Sequence, residues 1–184
     1  MKKMSTVKKS IFTAVCVALC IVLPMAFHGI ANAGSILLPM HIPVLLCGMI
    51  CGWPFGLICG LLGPLLSSLI TGMPPAAYLP GMMIELAVYG LITGFLMEYI
   101  HTGKLAVDSY ISLISAMVVG RIVAGGAKAL LFASGQYSVA AWVTGYFITG
   151  LPGIIIQLVL VPAVYFALEK SRMIPLRYED TPNA

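Results

Sequence analysis

Long apolar runs alternate with short polar breaks along the chain, and their lengths set the architecture. The first run spans about Ser10 to Phe27 and follows Lys2, Lys3, Lys8 and Lys9. The block from Ile36 to Thr71 is too long for a single crossing, which needs about 20 residues. Trp53-Pro54 interrupts it, so it divides into short helices at about His41 to Gly52 and Pro54 to Thr71. Gly72-Met73-Pro74-Pro75 is a turn signal. A fourth helix follows, roughly Ala76 to Tyr99, and the polar connector "EYIHTGKLAVDS" leads to a fifth at about Tyr110 to Ala133. After "SGQYS" a sixth runs from about Trp142 to Leu168, and the tail from Glu169 is polar enough to read as frayed.

Composition makes lipid the solvent for these helices. Of 184 residues, 60% are hydrophobic and only 9% charged, with a mean hydropathy of +1.04. Soluble domains carry roughly 25% charged residues. Runs this long exclude a barrel, whose strands alternate with period two. The expectation is an all-α integral membrane protein, one compact bundle of six transmembrane helices. It forms a single membrane domain: a basic arm at 1–9, the bundle at 10–168 and a tail at 169–184.

Charge orients the bundle. Eight of the ten Lys and Arg residues lie in the N-terminal arm, the connector after helix four or the tail, which six crossings place on one side. The opposite loops, about 28–40, 72–75 and 134–141, contain neither residue type. The positive-inside rule puts both termini in the cytoplasm. The competing reading takes "IANAGS" as the end of a cleaved signal peptide. Cleavage would leave five helices and spoil this asymmetry, so six crossings are preferred.

The remaining two cations, Arg121 and Lys128, interrupt "ISAMVVGRIVAGGAKALLF" with no acidic residue beside them. Each charged residue at a helix centre costs about 2.5–3.5 kcal/mol on insertion scales. Spaced by seven, the two share a helix face. Glu85, in "PGMMIELAVYGLITGF", is the acid at comparable depth. One carboxylate against two cations leaves two readings: a salt-bridged lock between helices four and five, or a chamber for a small anionic or zwitterionic solute. Tyr89, Trp142 and Tyr146 lie at similar or outer levels, where they would stack on a solute or serve as interfacial belt residues.

Other chemistry is sparse. Cys16, Cys20, Cys47, Cys51 and Cys59 all lie in apolar segments without a C-x-x-C pair and read as packing residues. His28, His41 and His101 do not cluster at ligand spacing, so neither a metal site nor a cofactor is expected. The Gly120, Gly125, Gly126 and Lys128 pattern departs from a phosphate loop, because Lys128 does not follow the second glycine and no Ser or Thr comes next. Gly48, Gly52, Gly56 and Gly60 recur every four residues, the spacing that lets membrane helices approach closely.

Taken together, "HIPVLLCGMICGWPFGLICGLLGPLLSSLITGMPP", the "ELAVYGLITG" stretch that follows and Ala14-x-x-x-Ala18 in the first helix resemble a substrate-binding S component of an energy-coupling factor (ECF) vitamin transporter, over about residues 8 to 170. The resemblance implies high-affinity binding of a small water-soluble vitamin or precursor in the plasma membrane of a prokaryote. It implies a pocket formed by the later helices and capped by the loop after helix one, about His28 to Met40, with Asn32 and His41 as polar candidates. It further implies that Ala14 and Ala18 dock on a transmembrane coupling subunit driven by two ATPases. The chain itself would not be an enzyme. Two alternatives stand beside this reading: a self-sufficient secondary transporter or channel, and a membrane-embedded enzyme, which the lack of paired acids or a Ser/His/Asp set disfavours.

The orientation is testable. In a background free of native cysteines, Lys2→Cys should react with an impermeant thiol reagent only from the cytoplasm, and Met73→Cys only from outside. Labelling of position 73 from the cytoplasm would invert the bundle.

Overall fold

A computed structural model of the chain describes residues 4–27, 29, 32–132 and 138–178, and every regular element among them is helical. They are α1 (Thr6–Ala26), α2 (Ala33–Leu37), α3 (His41–Cys51), α4 (Trp53–Thr71), α5 (Leu79–Tyr99), α6 (Leu105–Ala127), α7 (Val139–Val143) and α8 (Leu151–Lys170). A π-helical turn, Lys128–Phe132, extends α6, and another, Thr144–Ile148, follows α7. Six spans are long and apolar enough to cross a membrane: α1, Gly34–Cys51, α4, α5, Leu105–Leu130 and α8. The start of α1, the α3–α4 junction, the α5–α6 connector and the tail therefore share one end of the bundle, here the terminal end. The α4–α5 turn, α2 and α7 with the π turn after it occupy the other, the loop end.

Local chemistry sets the boundaries. The Ser5 hydroxyl accepts from the Lys8 amide at 3.3 Å and caps α1. Pro54, Pro80 and Pro152 sit in the first turns of α4, α5 and α8, where a missing N–H is harmless. Gly52, at φ 92°, makes the break between α3 and α4.

Three expectations change. Helix α6 begins at Leu105, five residues before the expected Tyr110, because Asp108 and Ser109 are buried in the bundle rather than exposed in a connector. The sixth crossing begins at Leu151: Trp142 and Tyr146 belong to the separate short helix and π turn before it. The tail folds back at least as far as residue 178. Arg177 pairs with Asp108 at 2.8 Å, donates to the Met97 carbonyl at 2.6 Å and also donates to the Ile100 carbonyl. A cation thus satisfies the last carbonyls of α5. Thr102 and Tyr178 both donate to Asp108, completing its partners.

Glycines bring the helices together as their spacing predicts. A Cβ added at Gly48 would fall 2.5 Å from the Gly90 carbonyl oxygen, and one at Gly56 would land on the same peptide. Gly60 meets the Leu86 carbonyl, and Gly94 meets the backbone of Trp53. The α3–α4 hairpin therefore lies backbone against backbone on α5 at Gly56, Gly60 and Gly94, with the Thr93 hydroxyl also against Gly48. All five cysteines are free and buried: Cys16 and Cys20 lie on α1, Cys47 and Cys51 on α3 against Thr13 and Lys9 of α1, and Cys59 on α4. The outer face of α1, including Val7, Ile11, Ala14, Val15, Ala18 and Val22, remains exposed.

Gly90→Val should therefore lower stability by about 1–3 kcal/mol or more, the usual result of overpacking a filled interface. Gly126→Ala, which meets nothing within 4 Å, should be neutral or slightly stabilising. Thermal unfolding in one detergent compares them; equal behaviour would refute the close-contact account.

Candidate functional site

Near the loop end, α3, α5 and α6 bring four polar side chains into the interior. Glu85 and Tyr89 are one helical turn apart on α5, and Leu86 and Gly90 on the same buried face carry the contact with α4. The packing that seats Gly90 thus also aims these two side chains inward. Arg121 reaches them from α6, where Gly120 leaves space for the Tyr89 ring. His41 enters from the first residue of α3 and meets the Tyr89 ring edge-on, with centroids 5.3 Å apart.

The cluster is buried yet loosely paired. Arg121 is 1% exposed, His41 1% and Glu85 7%. The Glu85 carboxylate lies 3.8 Å from Arg121 Nε and 3.5 Å from His41 Nε2, both longer than a formed hydrogen bond. Arg121 Nε instead donates to the Tyr89 hydroxyl at 2.8 Å. Opposite charges of one each make the core of the cluster formally neutral. A buried pair held this loosely is only partly compensated, so it keeps capacity for a further hydrogen-bonding partner.

The segment from α7 to α8 wraps Arg121 from the loop end. Trp142 Nε1 donates to the Arg121 backbone carbonyl at 3.2 Å, and the guanidinium donates to the Tyr146 carbonyl. The Phe147 ring lies 5.4 Å from the guanidinium carbon, a cation–π contact, and meets Trp142 edge-on. Gly125 leaves room for the Trp142 indole. Tyr146 therefore serves Arg121 through its backbone. The end of α2 packs on this segment: Leu38 lies beside Gly150, and the Ile36 and Leu37 carbonyls meet Gly153.

Other candidates lie apart. Lys128 stands two turns beyond Arg121, half-buried, with its ammonium 5.9 Å from the Tyr78 ring. Asn32 is exposed at the start of α2, where its backbone carbonyl accepts from Ser35 and Ile36. His28 lies outside the described residues. Ala14 and Ala18 are on the lipid-facing side of α1, remote from the cluster. Sequence reasoning passed over Phe147 and also Gln157, a fully buried α8 residue whose amide oxygen and nitrogen both lack a hydrogen-bond partner among the described residues. A single uncharged amide in "GIIIQLVLVP" is a faint signal, but amides in apolar runs were the place to look.

Comparison with known proteins gives one match. A family model described as "ECF transporter, substrate-specific component" covers residues 8–165. No curated protein matches the chain, and no solved structure does.

The pair has an asymmetry that mutation should expose. Glu85→Gln leaves a guanidinium that cannot shed its charge, and loss of one partner of a buried pair costs about 3–5 kcal/mol. Arg121→Gln leaves a carboxylate that a proton can neutralise, so the loss should be smaller. The Glu85→Gln/Arg121→Gln double variant should recover most of the stability. Thermal unfolding of the three proteins decides: additive losses in the double variant would mean that the groups do not interact.

Proposed function

We propose a solute-capturing role for this protein, because the chain belongs to the family of substrate-specific components of ECF transporters. Its solute is a small water-soluble vitamin or vitamin precursor, anionic or zwitterionic. The observation that carries this reading is the buried, loosely paired cluster of Glu85, Arg121, His41 and Tyr89 beneath the cap. An intramembrane ionisable residue marks a ligand path more often than a structural lock, and a lock would favour tight, direct bonds over separations of 3.5 and 3.8 Å.

Each group then has a part. Arg121 engages the solute's anionic group, with Glu85 orienting the guanidinium and offering an acceptor to a cationic group. Lys128, nearer the loop end, makes the approach positive and draws an anion inward. Phe147 and Trp142 wall the chamber with apolar surface, so a charged contact inside is weakly screened. The cap over Gly150 and Gly153 must lift for entry, and the loop end faces outside. Both termini face the cytoplasm, where a coupling subunit and two ATPases supply the energy. The exposed Ala14/Ala18 strip suits a partner helix, because small residues allow backbones to approach. The bundle would move as a body against that partner.

Purification from native membranes tests solute and partners together. The wild-type protein should retain a small solute identifiable by mass spectrometry and bring with it a coupling subunit and two ATPase chains. Arg121→Gln with Lys128→Met should weaken retention about ten- to a hundredfold, from about 1.5–3 kcal/mol for hydrogen bonds to charged groups. Ala14→Trp with Ala18→Trp should keep the solute and lose both partners and uptake. Unchanged retention in a well-folded Arg121→Gln/Lys128→Met protein rules out the assigned site; loss of solute in the tryptophan variant makes that face internal packing.

A further inference from the structure

Gln157 is the polar group that the charge cluster leaves unexplained. It is 0% exposed, and neither its amide oxygen nor its nitrogen finds a partner among the described residues. Burying an unpaired amide is costly, and native proteins rarely leave one. Ser109 and Ser112 on α6 are unpaired too, but a serine hydroxyl can turn onto the carbonyl one helical turn back. The longer side chain of a glutamine mid-helix lacks that easy remedy.

Its position is fixed by neighbours. Gly150, Gly153 and Gln157 share one face of α8 by their spacing. On that face Gly150 lies against Leu38 and Arg121, and Gly153 against the carbonyls of Ile36 and Leu37. Both α3 and α8 run from the loop end toward the terminal end, so they are parallel. Four residues beyond Gly153 on α8 is Gln157; four beyond Leu37 is His41. Gln157 therefore lies about 6 Å inward of the Gly153 contact at the rise of a helix, and α8 packs on α3, the helix that His41 opens, as well as on α2. His41 shares the deficit, since among the described residues neither ring nitrogen forms a hydrogen bond and Nε2 only approaches Glu85 at 3.5 Å.

We infer that Gln157, with His41 beside it, forms the floor of the solute site and reads an uncharged edge with an adjacent hydrogen-bond donor and acceptor, as in a ureide, lactam, carboxamide or aminopyrimidine. An amide presents its oxygen and NH₂ side by side and pairs bidentately with such an edge, as glutamine does with adenine. A neutral imidazole adds one donor and one acceptor. The inference rests on the proposed solute-binding role and divides the work within it: Arg121 and Lys128 take the charged group, while Gln157 selects the ring. A site built around such polar groups rejects an analogue that leaves them unpaired.

The test uses the full chain in lipid nanodiscs, with thermal unfolding and equilibrium binding read on matched probes. Biotin and lipoate share a pentanoate tail, but only biotin carries the ureide edge. Riboflavin and 3-methylriboflavin differ by one blocked lactam N–H. The edge-bearing member of at least one pair should bind tenfold or more tighter than its counterpart. Gln157→Leu should raise the unfolding temperature of the solute-free chain and abolish that preference. Gln157→Met, closer in shape, repeats the comparison if the leucine variant misfolds. Arg121→Gln should weaken both members of the anionic biotin–lipoate pair alike and leave their ratio intact. An unaltered preference in the Gln157 variants, or tightest binding by an edge-free probe, overturns the inference while leaving the proposed function standing. A wild-type chain that binds no probe yet retains a solute on purification decides by that solute's structure, which overturns the inference if it lacks the edge. A chain that binds no probe and retains nothing overturns both.

Discussion

Contact between bare backbones at Gly90 governs the rest of the molecule. Lipid tails are as apolar as leucine, so helices in a membrane gain little by hiding apolar side chains from it, and close packing has to hold them together. Gly48 and Gly56 meet the Gly90 peptide and Gly60 the Leu86 carbonyl, so the α3–α4 hairpin and α5 form a slab with almost no lateral play. The positions of Glu85 and Tyr89 follow, since they share the buried face that this contact turns inward. His41 follows as well, because it opens the helix that carries Gly48.

Against that slab the second half of the bundle is held differently. Helix α6 brings Arg121 to Glu85 and Tyr89, yet its guanidinium is shared with a segment of two short turns, through the Tyr146 carbonyl and the Phe147 ring. One π-helical turn, Thr144–Ile148, carries both of these residues, and another, Lys128–Phe132, extends α6. Such turns widen the backbone spiral and are frequent at functional sites. The guanidinium is thus a hub between a rigid wall and a wall of irregular helix. The second wall touches Arg121 but takes no part in the contacts of Gly48, Gly56 and Gly60 with α5.

Much of this was legible in the residues. Lengths of apolar runs located the six crossings, and four-residue glycine spacing announced the close packing, because both follow from one-dimensional periodicity. Arg121 and Glu85 stood out because a lone charge in an apolar run is conspicuous. His41 entered only through resemblance to a known family. The start of the sixth crossing was misplaced because hydropathy stays high from Trp142 to Leu168, although Gly150 and Pro152 in "TGLPG" mark the break. Gln157 escaped because averaging over its apolar neighbours erases one amide. The clasp between Arg177 and Asp108 joins residues 69 apart, and nothing local in a polar tail says that it folds back.

That clasp gives α6 its mechanical character. Asp108 and Arg121 are 13 residues apart on one helix, about 20 Å at the rise of a helix, and each makes a buried ionic contact. At the terminal end Arg177 ties Asp108 to the last carbonyls of α5 with bonds of 2.8 and 2.6 Å; near the loop end Arg121 meets Glu85 of the same α5 at 3.8 Å. The tight pair lies at the terminal end and the loose pair where the cap sits. A helix held firmly at one end and slackly at the other pivots about the firm end, so displacement grows toward the loop end. Were the solute chamber of the proposed function to open, the looser end near α2 would yield first, and the terminal end would keep its shape. A partner that recognises the bundle from the terminal end or along the α1 strip would meet nearly the same surface in both states. Discrimination between them would then have to come through the cap and the π-helical wall, the parts of the fold that the glycine slab leaves free.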